Sequence, residues 1–129
     1  MHTQTVQVGD RVVTTYKTGQ YIAEVVEVNP PKSVVKILAV RKHPAQGDLH
    51  HPMEVDVPLF HQRRALSYQE KIVVMLAELK PYHGEIPAYR DSLQAALLAE
   101  IHVLERTIRW SQRALEEYRQ LEKDYFGGP

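Results

Sequence analysis

The chain has 129 residues, 43% of them hydrophobic and 25% charged, with 16 basic and 16 acidic side chains, seven histidines and no cysteine. That is one domain's worth of chain, able to bury a core without staples, and the missing thiols exclude disulfides, thiolate metal sites, a cysteine nucleophile and a cysteine-linked lipid anchor. A formal net charge of zero leaves no field to draw in nucleic acid or an acidic membrane, and no apolar run reaches signal-peptide or membrane-spanning length, so a cytoplasmic protein without membrane insertion is expected.

The first elements read as strands. In "RVVTTYKTGQYIAEVVEVNPPKSVVKILAV", Arg11 to Val40, short β-branched runs are punctuated by turn signals, the pattern of three successive antiparallel strands. Val8 to Asp10 opens the first, Thr18 and Gly19 predict a tight hairpin turn, and Asn29 to Lys32 separates the second from the third. An irregular loop, "KHPAQGDLHH" from Lys42 to His51, comes next. Met53 to Val57 then alternates apolar and acidic residues as a strand with one wet face does, and Arg63 to Tyr68 supplies a short fifth strand. Together these predict a five-stranded SH3-like β-barrel over residues 1–67.

After Ser67 the spacing turns helical. Tyr68, Ile72, Met75, Leu76 and Leu79 recur at three and four residues, and Pro81 and Gly84 stop that helix. From Pro81 to Leu93 a connector with Tyr82, Ile86 and Tyr89 is expected to be pinned against the sheet. The pattern restarts at Leu93, Leu97, Ile101, Leu104 and Ile108 and continues through Leu115, Tyr118, Leu121 and Tyr125, with no Pro or Gly from Ala88 to Phe126. One helix of that length would extend about 58 Å, so a break is expected at Arg106 to Arg109, with Thr107 capping the next piece. The fold expected is thus α+β: the barrel followed by a three-helix part over residues 68–129, packed on it as the same compact unit. Trp110 and the stripe Tyr118, Leu121, Tyr125 are expected to be mostly core; an exposed Trp110 would instead be an interface anchor. A homodimer through the helices stays open, because covering the sheet consumes the apolar stripe unless part of it is left over.

Chemistry-bearing side chains concentrate in two places. His43, Asp48, His50 and His51 are ligand types that zinc, nickel or iron accept, which makes a metal-binding protein or metal-dependent hydrolase the alternative function. Turn chemistry accounts for Pro44, Gly47 and Asp48 without an ion, however. Histidines also titrate near neutrality, yet nothing supplies a nucleophile or oxyanion donors, so neither an enzyme nor a cofactor is expected. In "VPLFHQRRALSY", Val57 to Tyr68, Phe60 and His61 precede Arg63 and Arg64. Arginine pairs bidentately with carboxylate or phosphate, so this strip is an anchoring patch for an acidic partner, or one Arg faces water while the other pairs with an acid of the helices. Nucleic-acid binding asks for more positive charge and exposed aromatics than the sequence supplies.

Five stretches taken in order, "YKTGQYIAEV", "KILAVRKHPAQGDLH", "VPLFHQRRALSYQEK", "GEIPAYRDSL" and "LEKDY", resemble the kinase-associated protein B family of Bacillus-type endospore formers. The resemblance runs from about Val8 to Tyr125. It implies a small barrel followed by helices, and a non-catalytic accessory protein that a sensor histidine kinase needs to start the sporulation phosphorelay. On that reading the partner is the sensor kinase, and the partner-binding face is built from the loop residues His43, Gln46, Asp48 and His50 with Phe60, His61, Arg63 and Arg64. The pairing of "HPAQGDLH" with "FHQRRAL" carries this placement.

Overall fold

The computed structural model describes residues 5–128. It contains five strands and one helix: β1 (Arg11–Tyr16), β2 (Gly19–Asn29), β3 (Lys32–Lys42), β4 (Lys71–Met75), β5 (Lys80–Pro81) and α1 (Tyr89–Phe126), with a 3-10 turn at Leu76–Glu78. The strands form one antiparallel sheet in the order β4-β3-β2-β1-β5. The chain divides into two compact units, Met1–Leu97 and Leu98–Pro129. The sheet lies wholly in the first, and takes in residues beyond 67.

The three predicted N-terminal strands form. β1 and β2 pair with Arg11 opposite Glu24 and Tyr16 opposite Gly19, so the loop residues are Lys17 and Thr18, one position earlier than expected, with Lys17 at φ 54°. Gly19 belongs to the strand for a steric reason. A Cβ there would stand 2.6 Å from the Tyr21 hydroxyl and 2.9 Å from its ring, and Tyr21, only 1% exposed, has nowhere to go. Pro30 and Pro31, joined by a cis peptide bond, turn β2 into β3.

The core gathers Val12, Tyr21, Ala23 and Val25 from the hairpin with Val35, Ile37 and Val40 from β3. Ile72 and Val74 of β4, Leu79 and Ala96 close it. Each buried Val, Ile or Leu side chain among them contributes roughly 1.5–3 kcal/mol relative to exposure. The start of α1 is fastened to the sheet by one hydroxyl. Ser92 Oγ donates to the Tyr89 carbonyl at 2.7 Å and accepts from the Val40 amide at 2.9 Å, giving a buried strand N–H the acceptor it needs.

Beyond β3 the prediction and the fold part company. The barrel expected over residues 1–67 is an open sheet among the described residues, with β4 and β5 at its two edges. Neither of the two later strands expected before Tyr68 forms, and residues 43–70 are irregular. Met53 to Val57 lies between Pro52 and Pro58, which cannot donate to a ladder; Met53 sits at φ 67°, and Met53 and Val55 are 90% and 75% exposed. In Arg63 to Tyr68 the backbone is satisfied by side chains instead of a neighbouring strand.

The missing strands come from the segment read as a helix. "KIVVM" alternates exposed and buried residues, with Ile72 and Val74 inward, and its consecutive β-branched Ile72, Val73 and Val74 favour a pleated surface over a helix turn. Ser67 and Glu70 close a turn before it, the Ser67 amide donating to Glu70 Oε1 at 2.8 Å. The three-helix part is therefore one helix, α1, unbroken over 38 residues. Thr107 caps nothing; its hydroxyl donates to the Val103 carbonyl at 2.8 Å, one turn back, an accommodation helices tolerate. Trp110, Tyr118, Leu121 and Tyr125, expected as core, are exposed. No helix among the described residues is long and apolar enough to cross a membrane.

Candidate functional site

The irregular stretch between β3 and β4 is long for a domain of this size, and such loops are uncommon unless they serve a function or link domains. It is also well tied down, by three sets of contacts, within the loop and from the loop to β2, the β1–β2 hairpin and the start of α1.

The first set joins Gln46 to Arg63. The Gln46 amide nitrogen donates to the Arg63 carbonyl at 2.9 Å, and the Arg63 amide donates back to Gln46 Oε1 at 2.7 Å. The same nitrogen reaches the Pro44 carbonyl at 3.1 Å. A primary amide is the side chain that can make this reciprocal pair with a peptide, being donor and acceptor side by side. The Arg63 guanidinium reinforces it by donating to the carbonyls of Ala45 and Gly47. Arg63 is thus a brace within the loop, bound to peptide oxygens and not to an acid of the helices, while Arg64 is exposed.

The second set closes the loop around Gly47. Its amide donates to the His61 carbonyl at 2.9 Å, its φ is +96°, and a Cβ would stand 2.9 Å from the Phe60 ring. Both the conformation and the close approach require glycine. The loop is also held to the β1–β2 hairpin, because the Ala45 amide donates to Thr18 Oγ1 at 2.8 Å. The third set fixes Leu66. Its amide donates to the Tyr21 hydroxyl at 3.2 Å, and its carbonyl accepts from the Tyr89 hydroxyl, so the backbone of one residue is bracketed by phenols from β2 and from the start of α1. Burial pushes the pKa of Tyr21 and of Tyr89 above the usual phenol range.

The histidines do not converge. His43 Nδ1 faces the Pro44 carbonyl at 3.0 Å. Asp48 organises its own turn: its carboxylate accepts from the His50 amide at 2.9 Å and lies 3.1 Å from His51 Nδ1. Those contacts, His51 first and the His50 amide next, hold the Asp48 carboxyl below its ordinary pKa. No group of three or more His, Asp or Glu side chains capable of holding a metal occurs among the described residues, so the ligand set His43, Asp48, His50 and His51 is not assembled. The aspartate caps a turn instead.

The residues selected from sequence therefore sort into two kinds. Gln46, Arg63 and Asp48 build the loop, and His43 lies half-buried within it. His50, Phe60, His61 and Arg64 are exposed on it. Sequence reasoning missed three residues of the same stretch: Met53, Val55 and Leu59 are, like Phe60, large apolar side chains left exposed. For Met53 and Val55 the signal lies in the alternation of "MEVDV", which reads equally as a strand with one wet face.

Comparison with known proteins bears on the whole of this frame. The sequence profile described as Kinase associated protein B matches residues 16–126. The kinase-associated lipoprotein B of Bacillus subtilis (strain 168) is 44% identical over 126 residues, covering 97% of this chain and 98% of that protein. The crystal structure of kinase-associated protein B from Bacillus cereus superposes with a TM-score of 0.69 at 40% identity, over 94% of this chain and 98% of the other. Profile, full-length relative and fold agree, and the chain belongs to the kinase-associated protein B family.

Proposed function

We propose that this chain is a non-catalytic accessory protein of the cytoplasm that contacts a sensor histidine kinase and supports its signalling into the sporulation phosphorelay. The observation that carries the reading is kinship along nearly the whole chain with a protein named for its association with a kinase. The loop between β3 and β4 supports it physically. The surface is held in one arrangement by peptide and side-chain hydrogen bonds and presents Met53, Val55, Leu59 and Phe60 together with the polar groups of His61 and Arg64. Exposed Met, Phe and Arg are side-chain types enriched at protein-contact surfaces. Its mechanism is contact, and its partner offers a complementary apolar patch and a carboxylate for Arg64.

The test uses the exposed members, because replacing Arg63 or Gln46 would dismantle the loop itself. Wild-type chain used as bait in cells entering sporulation is expected to recover a sensor histidine kinase. The pair Arg64→Glu with Phe60→Ala is expected to lose that recovery and to lower kinase-dependent phosphorelay output. Failure of the wild type to recover a kinase defeats the functional reading. Undiminished recovery and output with the double variant defeats the assignment of the surface.

A further inference from the structure

The second unit, Leu98–Pro129, carries a long run of exposed large hydrophobic side chains. Ile101, Leu104, Ile108, Leu115, Tyr118 and Tyr125 of α1 range from 40% to 70% exposed. Their spacing is not random. With Ser111 and Glu122 they make an alternation of three and four residues, the a and d positions of a heptad in which Ile101, Ile108, Leu115 and Glu122 are a and Leu104, Ser111, Tyr118 and Tyr125 are d. A seam that keeps strict heptad period matches another helix wound against it, whereas a helix covering a sheet follows the drift of 3.6 residues per turn.

We propose that the exposed length of α1, residues 98–126, pairs with the same segment of a second copy of this chain as an antiparallel two-stranded coiled coil. The side-chain order selects the occupant and the direction. When the two helices run antiparallel about a two-fold at residue 113, a positions face d positions along the whole seam: Ile101 meets Tyr125, Leu104 meets Glu122, Ile108 meets Tyr118, and Ser111 meets Leu115. The flanking positions agree with that register. Glu105 of one copy falls beside Arg119 of the other, Leu98 beside Phe126, and Ala114 beside its own symmetry mate, where a small side chain lets the helices approach. A parallel pair sets Glu122 directly against Glu122 in the seam, and leaves Glu105 and Arg119 about 21 Å apart along the axis at 1.5 Å per residue. Like charges face to face there are unfavourable, and the opposite charges go unpaired. The proposal does not rest on the kinase reading, and its test has separate readouts.

Two experiments on the full chain decide it. Sedimentation across the micromolar range is expected to show a concentration-dependent dimer. Glu105→Arg or Arg119→Glu alone breaks two symmetric ion pairs and is expected to weaken the dimer about tenfold, while the two together restore it. Both side chains are exposed, and an unchanged circular dichroism spectrum establishes that the helix persists. Because the chain has no cysteine, single-cysteine variants report direction cleanly. An oxidised mixture of Ile101→Cys and Tyr125→Cys is expected to give the mixed cross-link, with neither variant cross-linking to itself. A chain that sediments as a monomer throughout leaves the stripe to another protein and overturns the proposal. Cross-linking of each variant to itself, or failure of the double charge exchange to restore the dimer, overturns the antiparallel register.

Discussion

Replacing Gln46 by alanine should open the loop between β3 and β4 without unfolding the sheet. The side chain makes three hydrogen bonds, two of them to the Arg63 peptide and one to the Pro44 carbonyl. A neutral hydrogen bond contributes about 0.5–1.5 kcal/mol net. Gln46 is exposed while Arg63 is half-buried, so water replaces part of what is lost, and the expected cost is about 1–2 kcal/mol. That energy is local. Amide exchange at Arg63, and at Gly47 whose donation to His61 depends on the same closure, should quicken about tenfold, in line with 1.4 kcal/mol per decade. Exchange at Ile37, in the core of β3, should be unchanged. Gln46→Glu is the sharper variant. It keeps the oxygen that accepts from the Arg63 amide but turns the donor into a second acceptor, placing oxygen against the carbonyls of Arg63 and Pro44. Despite its shape it should be at least as damaging as alanine. Unaltered exchange at Arg63 and Gly47 in both variants would refute the account of how this surface is held.

Other outcomes follow from the same geometry. Gly19→Ala should destabilise the protein by about 1–3 kcal/mol in urea unfolding, the usual cost of overpacking, because the buried Tyr21 cannot yield to the new methyl group; a neutral result would mean that the ring is mobile. Ser92→Ala should cost about 1–3 kcal/mol by orphaning the buried Val40 amide, and Ser92→Thr, which keeps the hydroxyl, should recover part of it. Asp48 has a folded pKa below its ordinary value, so its contribution to the His50–His51 turn is complete above the ordinary carboxylate range and lost as pH falls through the lowered value. An NMR titration of its carboxyl that gives an ordinary or raised pKa would contradict the turn. Tyr21 and Tyr89 are shifted the other way, so their contribution is complete below the ordinary phenol range and lost as pH rises through the raised values; Tyr21→Phe should reduce that alkaline loss of stability.

The parts of the fold legible in the sequence were those whose signal is local. The β1–β2–β3 meander announces itself through β-branched runs separated by short turns, and its error was a single residue at Gly19, where a contact with Tyr21 decides the register. "KIVVM" was misread because Tyr68, Ile72, Met75, Leu76 and Leu79 fit a helix as well as a strand flanked by turns; β3, offering an open edge to Ile72 and Val74, resolved the ambiguity from a distance. The opposite error befell α1. Its continuity is legible in the absence of Pro and Gly from Ala88 to Phe126, whereas the size of a domain, which argues for a break, places no Pro or Gly there to enforce one. The coupling of "HPAQGDLH" to "FHQRR" was visible as a pairing of motifs, while its chemistry was not. Nothing in the sequence says that Gln46 and Arg63 exchange peptide hydrogen bonds, or that Arg63 turns inward and Arg64 outward.

The backbone of Leu66, held at its amide by Tyr21 and at its carbonyl by Tyr89, has a consequence for kinetics. A loop fixed in this way near Arg63 and Arg64 has already given up its conformational freedom during folding, so a partner need not supply that ordering at the moment of docking. Encounter then resembles that of two shaped bodies. For the proposed contact with a kinase, substitutions on the exposed face should act mainly on how long the complex lasts, whereas loosening either tyrosine contact should slow its formation, because the competent arrangement becomes one among several.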